Sequence, residues 1–294
     1  MEIIFALIAS IAFGFDVYLI RRGLIEAPYP IVAAFISLTI NITFFVTLSL
    51  FFVPVNLLKL DLIYLFIIAG LLAPGCARWL SYKGLETLGA SISAPIVNSD
   101  SLFSVLMALI FLKEPINGTM GIGIMGVIIG IVLLSYETGR KRNKSIAERL
   151  RYRYLFFPIV ASLFYGISVL FRKLGLNLMN SPILGATFTS GTSWLVISIL
   201  LITSRNHKRL FQGGIKRFAY FFMAGGATCI AWLSVFYALR IGRIAIVAPI
   251  SSSSSLFTLF LSYVFLRRIE HISLKIVVAT ILIVGGIILL SIAK

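Results

Sequence analysis

The chain repeats itself at long range, and no other feature narrows its possible folds as far. Gly130-Ile131-Val132-Leu133-Leu134-Ser135 returns as Gly286-Ile287-Ile288-Leu289-Leu290-Ser291. Trp79-Leu80-Ser81 returns as Trp232-Leu233-Ser234, Ala94-Pro95-Ile96 as Ala248-Pro249-Ile250, and Pro30-Ile31 as Pro182-Ile183. Ser10 and Gly14 recur as Ser162 and Gly166. The offset drifts from 152 residues (Ser10 to Ser162) to 156 (Gly130 to Gly286), so small insertions separate two copies of one half-molecule. In an apolar chain a repeat of this length predicts a symmetry axis, with a shared site on that axis.

Composition identifies the solvent. Hydrophobic residues make up 60% of the chain and charged residues 12%, with a mean hydropathy of +1.05. A soluble domain of this length could not hide so much apolar surface, so the surroundings are lipid. The formal net charge of +16 collects between apolar stretches, as in Arg140-Lys141-Arg142 and Lys208-Arg209, where it suits anionic lipid. Nucleic acid is not an expected partner, because no soluble basic domain exists to carry it. Cys76 and Cys229 lie in apolar stretches at matching places and read as small interior residues. Residues 3–20 read as a retained first helix rather than a signal peptide.

At about 20 residues per crossing, the chain divides into ten spans. They cover 3–20, 30–52, 61–82, 90–112, 116–136, 154–172, 182–203, 216–239, 244–266 and 272–292. The expected fold is an all-α integral membrane protein with ten transmembrane helices, arranged as two inverted five-helix repeats around a central cavity. Residues 1–136 form the first repeat, 137–153 a basic connecting loop and 154–294 the second repeat. Inversion follows from the odd count, since five crossings start the second copy from the opposite side. Lys59, Lys113, Arg172, Lys173, Arg240, Arg243 and Lys294 fall on the side of the termini, and most other basic residues fall opposite. Positive charge favours the cytoplasm, which places both termini outside.

Three local patterns accompany the repeat. A glycine-containing turn follows the third span (Leu85-Glu86-Thr87-Leu88-Gly89-Ala90, and Ala238-Leu239-Arg240-Ile241-Gly242). A proline enters the fourth span (Pro95 and Pro249), and an acid stands before the fifth (Glu114, and Glu270 two residues late). Together with the two-copy plan, these resemble the drug/metabolite transporter superfamily, specifically its ten-helix EamA-type members. The resemblance implies a secondary transporter, commonly an exporter of amino acids or other small metabolites, in the cell (plasma) membrane. It also implies cytoplasmic termini, opposite to the charge bias.

Ionisable residues inside spans are costly and mark candidate sites. Asp100 lies mid-span within Asn98-Ser99-Asp100-Ser101, Asp16 in the first span and Arg78 in the third. At 1.5 Å per residue their depths overlap, at roughly 18, 20 and 25 Å from the terminus side. Arg78 therefore matches either acid, or a free amino acid bridges them, its carboxylate on the guanidinium fork and its ammonium on an aspartate. The structural alternatives are an internal salt bridge, or Arg78 reaching to the interface. Trp79, Tyr82, Trp232 and Tyr237 form either a cavity wall or an interfacial aromatic belt. Ser251–Ser255 align with residues 97–101, so Ser254 stands where the first copy has Asp100. These serines line a cavity or pack helices closely. Pro74, Pro95 and Pro249 predict bends, as hinges or as fixed features. Gly126 and Gly130 suit close helix contact within the chain or, less directly, in a dimer.

The expected substrate-binding set is Asp16, Arg78, Trp79, Tyr82, Asn98, Ser99, Asp100, Ser101, Trp232, Tyr237 and Ser254. The expected partners are a small-molecule substrate, protons as a candidate coupling ion and membrane lipids, with a monomer or weak homodimer and no cofactor. Export of organic cations or sugar-type metabolites is the transport alternative. A non-transporting scaffold or lipid flippase subunit is the other. An enzyme is not expected: His207 and His271 lie in loops without spaced ligand partners, and no nucleophile–base pair stands out.

Overall fold

The computed structural model describes residues 1–54, 63–112, 118–140, 153–204, 218–266 and 273–292. Among them all regular structure is helical. The first copy contains α1 (Glu2–Glu26), α2 (Pro30–Phe52), α3 (Ile63–Gly70), a wide π-type turn (Leu71–Cys76), α4 (Ala77–Leu88), α5 (Ala90–Val97), α6 (Asp100–Leu112) and α7 (Gly118–Arg140). The second contains α8 (Phe156–Met179), α9 (Pro182–Thr203), α10 (Ala219–Ile241), α11 (Ile244–Ser252), α12 (Ser254–Phe265) and α13 (Leu274–Ile292). Seven stretches are long and apolar enough to cross a membrane: α1, α2, residues 63–88, α8, α9, α10 and residues 246–265. Residues 121–130 and 274–289 are shorter apolar runs. Lys59, Lys113, Glu114, Pro115, His207, Glu270, His271 and most of the 137–153 connection lie outside the described residues.

Burial runs opposite to that of a soluble protein. Leu50, Phe51, Phe260 and Phe265 are exposed, whereas Asp16, Asn41, Arg78 and Arg172 are buried. An apolar exterior with polar groups turned inward is what a lipid solvent selects.

The helices pack in a pattern that survives exchange of the two copies. α1 lies against α10 and against α11–α12; its equivalent α8 lies against α3–α4 and against α5–α6. α2 packs on its own equivalent α9, and α7 on its own equivalent α13. Glycines make the closest of these contacts. A Cβ on Gly14 would meet Ser254 O at 3.4 Å, and one on Gly166 would meet Asp100 O at 2.8 Å, the matching residue of the other copy. A Cβ on Gly126 would lie 3.3 Å from Gly286 Cα, and one on Gly130 would lie 2.9 Å from Ala279 O. The small-residue spacing of Gly126 and Gly130 is thus used inside the chain, between helices running antiparallel.

Each proline in the fourth span is followed by a break. Pro95 precedes the interruption at Asn98–Ser99, and Pro249 precedes that at Ser253. Proline removes one helical donor, and a serine hydroxyl then takes a nearby carbonyl. Ser99 Oγ donates to Ile96 O at 2.6 Å, and Ser253 Oγ donates to Ile250 O at 2.6 Å. The same hydroxyls tie the breaks to the first helix of the opposite copy, Ser99 to Ser162 at 3.0 Å and Ser253 to Ser10 at 2.9 Å.

α8 extends well past residue 172, where the sequence pattern ended it. Arg172 is therefore an interior residue and not a loop charge. Lys173 points into the fold as well, donating to Leu239 O at 2.7 Å and Gly242 O at 2.8 Å at the end of α10.

The contrast between two glycines tests this packing. Gly166→Val must displace backbone of α6 and is expected to cost about 1–3 kcal/mol. A Cβ on Gly226 meets nothing within 4 Å, so Gly226→Ala is expected to be neutral or stabilising. Thermal unfolding of the two variants in detergent measures the difference.

Candidate functional site

The third span breaks in the first copy only. Ala73 has extended dihedrals (φ −149°, ψ 132°) inside the wide turn that contains Pro74. Its counterpart region in α10 is continuous helix. The break frees carbonyls inside an apolar interior, where each needs a donor. Ser168 Oγ donates to Ala69 O at 2.8 Å and to Ala73 O at 3.0 Å. Ser193 Oγ donates to Gly70 O at 2.7 Å, and Arg172 Nη2 donates to Ala73 O at 2.5 Å. On the far side the Arg172 guanidinium carbon sits 4.2 Å from the centre of the Trp232 ring. A cation over an indole face is a favourable, orienting contact.

α1 mirrors this arrangement with different chemistry. Asp16 occupies the position that Ser168 holds in α8. Its Oδ1 accepts from Thr228 Oγ1 at 3.1 Å, and Thr228 also donates to Ala224 O in the continuous α10. Arg78 is the basic group whose charge acts on Asp16. Arg78 Nη1 donates to Ser37 Oγ at 3.2 Å, and the Tyr165 hydroxyl lies beside it. Arg172 is the basic group whose charge acts on Asp100. Neither arginine is within ion-pair distance of its acid, unlike the surface pairs Arg22–Glu26 and Lys83–Glu86.

The broken fourth spans cross at the axis through a reciprocal pair of bonds. Asn98 Nδ2 donates to Ser254 Oγ at 2.7 Å, and Ser252 Oγ donates to Asp100 Oδ1 at 2.8 Å. Residues 98 and 252 are equivalent, as are 100 and 254. Each bond is the image of the other under exchange of copies, and the two spans cross antiparallel.

A cavity of about 100 Å³ opens at this crossing, several times the space one water needs. Equivalent residues of both copies line it: Phe13 and Tyr165, Val17 and Val169, Tyr82 and Val235, Asn98 and Ser252, Asp100 and Ser254. The charged groups break the symmetry. Asp16, Arg78, Asp100 and Arg172 line the cavity, while Ser168, Ala231, Ser254 and Ile20 hold the equivalent positions. Among the described residues no three His, Cys, Asp or Glu side chains come together to hold a metal ion.

Seven of the residues singled out from sequence meet in this cavity: Asp16, Arg78, Tyr82, Asn98, Asp100, Trp232 and Ser254. Four do not line it. Ser99 is spent on Ile96 O and Ser162, and Ser101 on the Asn98 and Ala248 carbonyls. Tyr237 stacks on Phe5 with ring centres 5.7 Å apart, and Trp79 packs among apolar side chains. Arg172 and Tyr165 are outside the set expected from sequence, while Ser251 and Ser252, read there only as part of a serine run that lines a cavity or packs helices, also line it. The stripe Phe13-Asp16-Val17-Ile20 in α1 has a helical period, and its copy is Tyr165-Ser168-Val169-Arg172. Carrying the stripe across would have found Arg172.

The sequence profile of the EamA-like transporter family matches residues 1–136 and 153–292. The chain belongs to that family. It is accordingly a multi-pass membrane protein of the drug/metabolite transporter superfamily, from a family that transports small molecules rather than converting them. An uncharacterised protein of Methanocaldococcus jannaschii is 29% identical over 141 residues. That stretch covers 46% of this chain and 94% of the relative, so the relative is about half as long. A crystal structure of another protein superposes with a TM-score of 0.63 at 14% identity, covering 96% of this chain and 95% of that one. The two share a fold.

Ser168→Ala removes a hydroxyl shared by two freed carbonyls. It is expected to destabilise by about 1–3 kcal/mol. Ser204→Ala, at the exposed end of α9, is the reference in the same thermal unfolding assay.

Proposed function

We propose that this EamA family member is a secondary active transporter of small metabolites, with amino acids as the leading class and export as its direction. All ten spans cross the plasma membrane, the two repeats are inverted, and the cavity at their axis opens alternately to either side. The observation that carries this reading is the set of two aspartates and two arginines around one cavity, with neither arginine in direct contact with its acid. Such a site has no net charge of its own and offers separate partners to an ammonium and a carboxylate. An organic cation would gain from the aspartates but face two buried guanidinium groups. The antiparallel crossing supports inversion, because copies related by an axis across the helices must enter the membrane from opposite sides. Asp16 and Asp100 bind the amino group or carry a coupling proton. Asn98 and Ser254 shape the cavity through their mutual bond. The protein works as a monomer or weak homodimer.

Counterflow into proteoliposomes, with an amino-acid panel and an imposed pH gradient, tests the assignment. Asp100→Asn and Arg78→Gln are each expected to lower exchange by at least about tenfold, the first by removing a charge from the cavity wall, the second by leaving buried Asp16 without its countercharge. Normal transport by both variants would sink the reading. For topology, the interior position of Arg172 takes one charge from the terminus side and reinforces the charge bias. A cysteine at Asn143 is expected to resist an impermeant thiol reagent in intact cells. Labelling there would instead place both termini in the cytoplasm.

A further inference from the structure

Resting on the amino-acid reading above, we infer that Arg172 is the residue that binds the substrate carboxylate and that Asp100 receives the ammonium, while Arg78 and Asp16 balance each other within the protein. Both arginines are buried, each makes one hydrogen bond and each has an acid and Tyr165 acting on it, but only Arg172 has a buried nitrogen left without a partner. Arg78 has the Ser37 hydroxyl, the hydroxyls of Tyr82 and Tyr165 beside it, and Asp16 as its countercharge, itself held by Thr228. Arg172 is 1% exposed yet makes one hydrogen bond, from Nη2 to Ala73 O. Its Nε is buried without a partner among the described residues. A guanidinium has five donors in one plane, and a buried Nε without a partner costs desolvation that nothing inside the fold offsets.

The surroundings fix how Arg172 presents those donors. The ring of Trp232 holds the face of the guanidinium, and the carbonyl freed by the break at Ala73 holds one corner. Arg172 itself is one of the residues that line the cavity. A planar fork of this kind matches the two oxygens of a carboxylate. Asp100, steadied by the Ser252 hydroxyl, borders the same cavity without touching Arg172. The head group of an α-amino acid bridges the pair. Val169, Val235, Leu239 and Val247 line the same cavity, so the class selected is α-amino acids with apolar side chains.

Equilibrium binding to the purified full-length protein tests this with leucine and two truncated probes, isoamylamine (no carboxylate) and isocaproate (no ammonium). Arg172→Gln is expected to weaken leucine by at least about tenfold and to leave isoamylamine unchanged or bound more tightly, since a like charge is removed. Arg172→Lys keeps the charge without the fork and is expected to fall between. The leucine-to-isoamylamine ratio within one preparation does not depend on the folded fraction. An unchanged ratio in Arg172→Gln, or equal loss of both ligands, would overturn the assignment. If the wild type binds isocaproate through Arg172 but ignores leucine, the amino-acid reading fails and the carboxylate role stands. If it binds none of the three, both fail.

Discussion

In a lipid-facing protein no backbone carbonyl can be left to water, and the break at Ala73 makes that constraint local. Residues 69–73 release acceptors in the middle of the third span, and α8 and α9 supply the donors. Ser168, Ser193 and Arg172 are placed where they are because those carbonyls must be met. Satisfying the break draws α8 against α3 and turns a guanidinium toward the axis. The position of a charged group in the cavity thus follows from backbone accounting elsewhere.

The second copy has no such break to satisfy. In α10 the helix runs on, and Thr228 spends its hydroxyl on Asp16 and on its own preceding turn. A shared scaffold of Gly14 with Gly166, Ser99 with Ser253 and Pro95 with Pro249 therefore carries two different interiors. Where the scaffold is symmetric the contacts are backbone-close or matched hydroxyl bonds. Where it departs from symmetry the residues face the cavity. Close packing tolerates little change, whereas a cavity wall can vary without strain.

Much of this was legible in the sequence. The repeat, the apolar spans and the prolines each report a local constraint, and each lies on helix or at a break in the structure. Asp16, Arg78 and Asp100 were legible because charge in an apolar span is rare. Arg172 was not, since a charge beside Lys173 reads as the end of a span. Only the length of α8 shows otherwise, and length is set by packing against α3 and α10 rather than by local hydropathy. The aromatic residues divided for a related reason. Trp79 and Trp232 match in sequence, but Trp232 meets a guanidinium that has no counterpart in the other copy. Ser99 and Ser101 were likewise indistinguishable from cavity-lining serines, because a hydroxyl spent on a helix carbonyl leaves no mark in sequence.

The reciprocal bonds at the crossing bear on why both copies sit in one polypeptide. Were two identical half-length chains to pair about this axis, every residue at the crossing would meet the image of its partner. Two copies of Asp100 and two of Asp16 would then share one small space, and Arg172 could not exist beside Ile20. Covalent fusion lifts that restriction. Once joined, one half can acquire an acid while the other keeps a hydroxyl, and a single binding orientation replaces two equivalent ones.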